Sequence, residues 1–90
     1  MDNLFDVIES RKGGDPEKSY TAKMFGQGTP KIARKVGEEA VETVIEAMCG
    51  NKKMLAEESA DLLYHLLVLW SDQGLEPGKV WQVLDERCKG

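Results

Sequence analysis

Cysteine is scarce in this 90-residue chain, with only Cys49 and Cys88. Two thiols so far apart in sequence exclude a disulfide scaffold and a four-thiolate zinc site, and both are expected to be reduced. Long apolar runs are missing too. The longest nearly uninterrupted one, Leu62 to Trp70, contains Tyr64 and His65 and falls well short of the roughly 20 residues of a membrane helix. Asp2, Asp6 and Glu9 stand where a secretory leader has a basic stretch and an apolar core, so a cytoplasmic location is expected. No segment alternates convincingly as a strand, and no repeat, low-complexity tract or linker marks a boundary. The expectation is one all-α domain over residues 1–90.

What is present fits a globular chain: 41% apolar and 31% charged residues. Its small size limits the core it can bury, which points to oligomerisation. The net charge of −4 argues against nonspecific nucleic-acid binding. The distribution is more informative than the sum. Between Arg11 and Lys35 seven bases face two acids, a local excess of +5 that feeds an acidic body.

Glycines and prolines divide the chain into four predicted helices, two long and two shorter. The first runs from about Asn3 to Lys12 and stops at Gly13-Gly14. A loop follows to Gly28, with a short turn near Ser19 to Phe25. Thr29-Pro30 opens a long helix, read as a capping hydroxyl followed by proline at the first helical position. Gly50 closes it. Asn51 caps a third helix that reaches Gln73, and Pro77 opens a fourth that ends near Cys88. In the third, Leu62, Leu63, Leu66, Leu67, Val68, Leu69 and Trp70 cover the whole circumference. Such a helix must be buried on every side, and four segments of one chain hardly suffice. A helical bundle completed by dimerisation is the expected architecture.

Carboxylates punctuate both long helices. At about 100° per residue, Glu58 falls on the side of Leu55, Leu62 and Leu69, and Asp61 falls between Met54 and Val68. Uncompensated charge in such an apolar wall costs several kcal/mol. Glu38, Glu42 and Glu46 line up at i, i+4 spacing, while Glu39 borders Ile32 and Val36. Glu39 with Glu42 and Glu58 with Asp61 are i, i+3 pairs, so antiparallel packing of the two helices would bring four carboxylates together. Mg²⁺ suits such a cluster, because it takes hard oxygen ligands and bridges carboxylates to phosphates. Glu46 and Glu57 read as solvated instead. His65, the only histidine, reads as a satisfied core residue with a role beside Asp61 as the alternative. Trp70, Trp81 and Tyr64 read as packing.

The string Lys35-Val36-Gly37-Glu38-Glu39-Ala40-Val41-Glu42, followed by Glu58-Ser59-Ala60-Asp61-Leu62-Leu63-Tyr64-His65, resembles the phosphoribosyl-ATP pyrophosphatase family. More widely it is similar to the MazG-like nucleoside-triphosphate pyrophosphohydrolases, whose signature is Glu-Glu-x-x-Glu, a spacer and Glu-x-x-Asp. Arg11, Ser19-Tyr20-Thr21, Lys23, Phe25, Gly28 and Ile32 extend the likeness to the first of these families, from about Leu4 to Leu84. The resemblance implies an all-α fold that pairs subunits, a stand-alone form without the cyclohydrolase domain, and Mg²⁺ as cofactor. The implied reaction is hydrolysis of phosphoribosyl-ATP to phosphoribosyl-AMP and pyrophosphate, the second step of histidine biosynthesis.

On this reading Glu39, Glu42, Glu58 and Asp61 hold Mg²⁺. Glu38 orients a water, completes a second metal site or is solvated. Arg11, Lys18, Lys23, Arg34 and Lys35 offer charge-assisted hydrogen bonds to the phosphates, with Arg11 and Lys23 resting chiefly on the resemblance. Ser19 and Thr21 add hydroxyls, and Tyr20 is placed to contact the adenine. Lys12 and Lys31 are expected to be solvated. Two other readings compete: a related pyrophosphohydrolase acting on other nucleotides, and a non-catalytic helical dimerisation module whose glutamates keep it soluble.

Overall fold

The chain reverses direction at Gly50 and Asn51. Gly50 adopts the left-handed conformation at φ 74°, and its N–H reaches the Ala47 carbonyl at 3.2 Å, a helix stop that suits a residue without Cβ. The Asn51 side chain then accepts a hydrogen bond from the Met54 N–H at 3.1 Å, capping the next helix. In the computed structural model, which describes residues 2–89, the two long helices so joined are α3 (Thr29–Cys49) and α4 (Lys52–Asp72). Around them lie α1 (Asp2–Ser10), α2 (Tyr20–Gln27) and α5 (Pro77–Lys89). The described residues contain no strand. No helix among them is long and apolar enough to cross a membrane.

The described residues thus form five helices, not four. The loop before Gly28 contains α2, because Ser19 accepts a hydrogen bond from the Ala22 N–H at 3.1 Å and Ala22 and Met24 are buried. Gly26 and Gly28 disguised this short amphipathic turn. A second correction concerns Thr29. Gly28, at φ 91°, is the residue before α3, and no side chain caps that end. The Thr29 hydroxyl instead donates to Asp72 Oδ2 at 2.5 Å, tying the start of α3 to the end of α4.

The hairpin of α3 and α4 is the spine, with α1 against α4 and α2 against both. Phe5, Ile8, Met24, Ile32, Leu67 and Val68 form the core. It occupies the end of the hairpin that holds the start of α3 and the end of α4. Lys12 is part of this packing and is not a merely solvated side chain. Its Nζ donates to the Ser71 carbonyl at 2.6 Å, pairs with Glu9 at 2.9 Å and lies over the Phe25 ring. Glu9 also accepts from the Ser71 hydroxyl at 2.7 Å. That hydroxyl, followed by Lys12, holds the Glu9 carboxyl below its ordinary pKa. Trp81 meets Trp70 edge to face at 5.8 Å and is a link between α5 and the rest.

The other end of the hairpin is bare. Val41, Val44, Ile45 and Met48 of α3 and Leu63 of α4 are exposed. Within one chain, α4 is therefore enclosed around Leu67 and Val68 but not around its whole circumference.

Candidate active site

Glu39 sits where the packed end of the hairpin gives way to the bare end. It is 7% exposed, more deeply placed than the edge position its spacing suggested. One turn later on the same helix stands Glu42, exposed. From the facing helix come Glu58, half-buried, and Asp61. Glu39, Glu58 and Asp61 each offer a carboxylate oxygen within 4.8 Å of the others, a spacing that suits one cation. Three of the four carboxylates in the two i, i+3 pairs thus meet, and Glu42, expected among them, lies outside this trio. Asp61 itself is exposed, not walled in by apolar residues. A helical wheel assigns it a face, and none of the described segments covers that face.

The electrostatics of the cluster are unfavourable without a cation. Glu39 Oε2 and Glu58 Oε2 are buried without a hydrogen-bond partner. The Glu58 carboxyl is pushed up from its ordinary 4.5 to about 7, by the hydrogen-bonding Glu42 carboxylate first, then by loss of solvation, with Glu39 adding to it. Glu39 is raised as well, chiefly by burial and then by Glu42. Lys35 Nζ, 3.7 Å from Glu39 Oε1, acts against that rise. Two orphaned carboxylate oxygens, on residues whose carboxylates converge in a set made only of hard oxygen donors, suit a hard divalent cation.

Beside the carboxylates is a cavity of about 350 Å³ lined by Tyr20, Lys23, Met24, Gln27, Lys31, Arg34, Lys35 and Glu38. Four of these side chains are cationic and one is acidic, so the cavity suits an anion. Lys35 belongs to both places, lining the cavity and pairing with Glu39. Arg34 and Lys23 line the cavity as well. Lys31, expected to be solvated, is exposed yet lines the same cavity. Its i, i+4 relation to Lys35 and i, i+3 relation to Arg34 was the available signal. Gln27 and Met24 had none, since they come from the short helix hidden in the loop. Glu38 faces this cavity and lies outside the trio within 4.8 Å. Arg11 and Lys18 are exposed and line neither place.

The Ser19-Tyr20-Thr21 segment is joined to α4. Ser19 is engaged as the cap of α2. The Thr21 hydroxyl hydrogen-bonds the Tyr64 phenol, and the Tyr20 phenol lies 3.3 Å from His65 Nε2. His65 is 6% exposed, with Nδ1 at 2.7 Å from the Asp61 carbonyl, so both ring nitrogens are partnered. Cys49 and Cys88 are free and exposed.

Known proteins with the same pattern bear on this arrangement. A family model described as phosphoribosyl-ATP pyrophosphohydrolase matches residues 1–88. The chain is 64% identical to a phosphoribosyl-ATP pyrophosphatase of Azospirillum brasilense, over 97% of this chain and 78% of the relative. It is 61% identical to a protein of the same name from Paramagnetospirillum magneticum, over 97% and 80%. A histidine biosynthesis bifunctional protein of Photobacterium profundum is 51% identical over 97% of this chain, which spans 42% of that longer protein. With a match across nearly its whole length, the chain belongs to the phosphoribosyl-ATP pyrophosphohydrolase family.

Proposed function

We propose that this chain hydrolyses phosphoribosyl-ATP to phosphoribosyl-AMP and pyrophosphate in histidine biosynthesis, with Mg²⁺ held by Glu39, Glu42, Glu58 and Asp61. The observation that carries the metal assignment is the pair of buried, unpartnered oxygens on Glu39 and Glu58, which point to a missing positive charge. The substrate assignment is supported by family membership and by the cationic cavity next to the carboxylates.

Phosphoanhydride hydrolysis needs positioning and charge neutralisation more than covalent work from the protein. Lys23, Lys31, Arg34 and Lys35 bind the phosphates, with Lys35 placed to hold the phosphate nearest the carboxylates. When bound, Mg²⁺ supplies neutralisation of the phosphate charge and acidifies water. Glu38, on the cavity side of the same helix, orients the attacking water toward the α–β anhydride. Tyr20 contacts the nucleoside part. Arg11 and Lys18 reach the outer end of the substrate from their exposed positions.

Two chains complete one another in this reading. Val41, Val44, Ile45, Met48 and Leu63 lie exposed around the carboxylate end of the hairpin, and a second copy seated there would cover them and enclose the site.

The decisive measurement is pyrophosphate release from phosphoribosyl-ATP with Mg²⁺, with excess chelator, and with ATP in parallel. Mg²⁺-dependent release from phosphoribosyl-ATP but not ATP is expected. Release chiefly from ATP would move the chain to another nucleotide substrate, and no release from a folded protein would refute the assignment.

A further inference from the structure

We infer that the cationic cavity holds phosphate at two separate places, and that Lys31, with Lys23, takes the phosphate of the added ribosyl group. Lys31 is then the residue that tells a phosphoribosyl nucleotide from a plain one. The inference deepens the function proposed above and rests on that reading of the cavity as the substrate site.

The cavity has two distinct ends, because α2 and α3 are joined by the single residue Gly28. Gln27 and Lys31 flank that joint, one from each helix, and both line the cavity. The opposite end lies at the carboxylates. It is marked by Lys35, 3.7 Å from Glu39, and by Tyr20, whose phenol meets the ring bonded to the Asp61 carbonyl. Lys31 precedes Glu39 on α3 by two turns, about 12 Å along the helix axis at 1.5 Å per residue. The charges divide in the same way. Lys35 is balanced by Glu39. Lys23, Lys31 and Arg34 have no carboxylate oxygen within 4.0 Å among the described residues. Lys31 also stands one turn from both Arg34 and Lys35, and like charges at i, i+3 and i, i+4 repel. A dianion at the joint relieves that repulsion.

The chemistry of the substrate decides which phosphate that is. Cleavage of the α–β anhydride requires those two phosphates at the carboxylate end. The γ-phosphate lies only one anhydride link beyond them. The phosphate on the added ribose is separated from them by a whole nucleoside, and two helical turns between Glu39 and Lys31 match that longer separation. Tyr20 and Met24 precede Gln27 on α2 and give the stretch between the two ends an aromatic and apolar wall, which suits a nucleoside. A phosphate monoester carries about −1.5 to −2 charges at pH 7, and Lys31 and Lys23 meet it from α3 and α2 with charge-assisted hydrogen bonds. A nucleotide without the second phosphate leaves both lysines unused.

Calorimetric titration with phosphoribosyl-AMP and with AMP tests this without turnover. The parent chain is expected to bind phosphoribosyl-AMP more tightly than AMP. Lys31→Gln should weaken phosphoribosyl-AMP at least about tenfold, the range of one hydrogen bond to a charged group. AMP lacks the second phosphate and should change less than about twofold, so the gap between the two ligands narrows. Lys31 is exposed, so its replacement removes no core packing. Lys31→Arg keeps the charge and should restore the gap. Pyrophosphate should be weakened by Lys35→Gln and left within about twofold by Lys31→Gln. Equal losses for AMP and phosphoribosyl-AMP, a loss confined to pyrophosphate, or no loss in Lys31→Gln would overturn the inference. A parent chain that shows the expected binding pattern and releases no pyrophosphate from phosphoribosyl-ATP would refute the proposed reaction and leave the subsite standing. A parent chain that turns over phosphoribosyl-ATP, with both ligands untouched by Lys31→Gln, would refute the subsite alone. A parent chain that binds neither nucleotide would overturn both.

Discussion

Glu58 concentrates the electrostatic problem of the site in one carboxyl. In the folded chain it holds its proton up to about pH 7, against an ordinary 4.5, so the fold binds this proton more tightly than the unfolded chain does. Linkage then fixes the sign. The metal-free fold is stabilised by the protonated form below 4.5 and loses that contribution as pH rises through about 7. Glu39, raised in the same direction, reinforces the trend. Urea midpoints taken without metal should fall across this window, and Mg²⁺ should restore stability at about pH 8, where the carboxylates are ionised. Glu58→Gln should flatten the fall and raise the metal-free midpoint above pH 7. The same substitution should reduce turnover by at least about a hundredfold, the cost of removing one preorganised contact to charge. A glutamine variant that melts earlier than the parent and turns over normally would show that the carboxylate only packs. Lys35 belongs to the same scale. Lys35→Gln removes the cation shared by Glu39 and the cavity, and should raise KM for phosphoribosyl-ATP in steady-state kinetics.

At the scale of elements, two residues between α3 and α4 fix where the carboxylates meet. The left-handed Gly50 ends one helix and the Asn51 side chain starts the next, so Glu39 and Glu58 approach from opposite strokes of one hairpin. Asn51→Ala should cost about 1 kcal/mol, as removal of an N-cap usually does, read as a lower urea midpoint. KM should barely move, because the cap touches no substrate group. The turn was legible in the sequence because a cap and a C-terminal glycine are local signals. The short helix α2 was not. Its first residue bonds to His65, 45 positions away, and its buried Met24 packs in the core formed by α1, α3 and α4. Eight residues are too few to announce a helix without that support.

The whole molecule is stretched for its size. Its radius of gyration is 14.3 Å, against about 12 Å for a compact chain of this length. The packed end of the hairpin accounts for the core, and the carboxylate end carries exposed valine, isoleucine and methionine, with Met48 84% exposed. Contiguous apolar surface of that kind marks an interaction site, and a dimer is the expected mass in sedimentation or light scattering. Val44→Glu places a charge in the middle of the patch. It should shift the mass toward the monomer and lower activity together, since the site would lose its cover. A monomeric variant with full activity would separate assembly from catalysis.

The sequence by itself determined the helical class, both ends of the central turn, and the pairing of Glu39 with Glu42 and of Glu58 with Asp61. Each of these is set by residues within a few positions of one another, through caps and the 3.6-residue period. Only the tertiary structure decided which faces are covered. It buried Glu39, left Asp61 open, engaged Lys12 at Ser71, brought Lys31 to the cavity and set Tyr20 on His65. Those outcomes depend on contacts between residues tens of positions apart, such as Lys12 with Ser71 and Tyr20 with His65. A helical wheel gives a side chain its direction, and only the neighbouring helix determines whether it meets water, apolar surface or another charge.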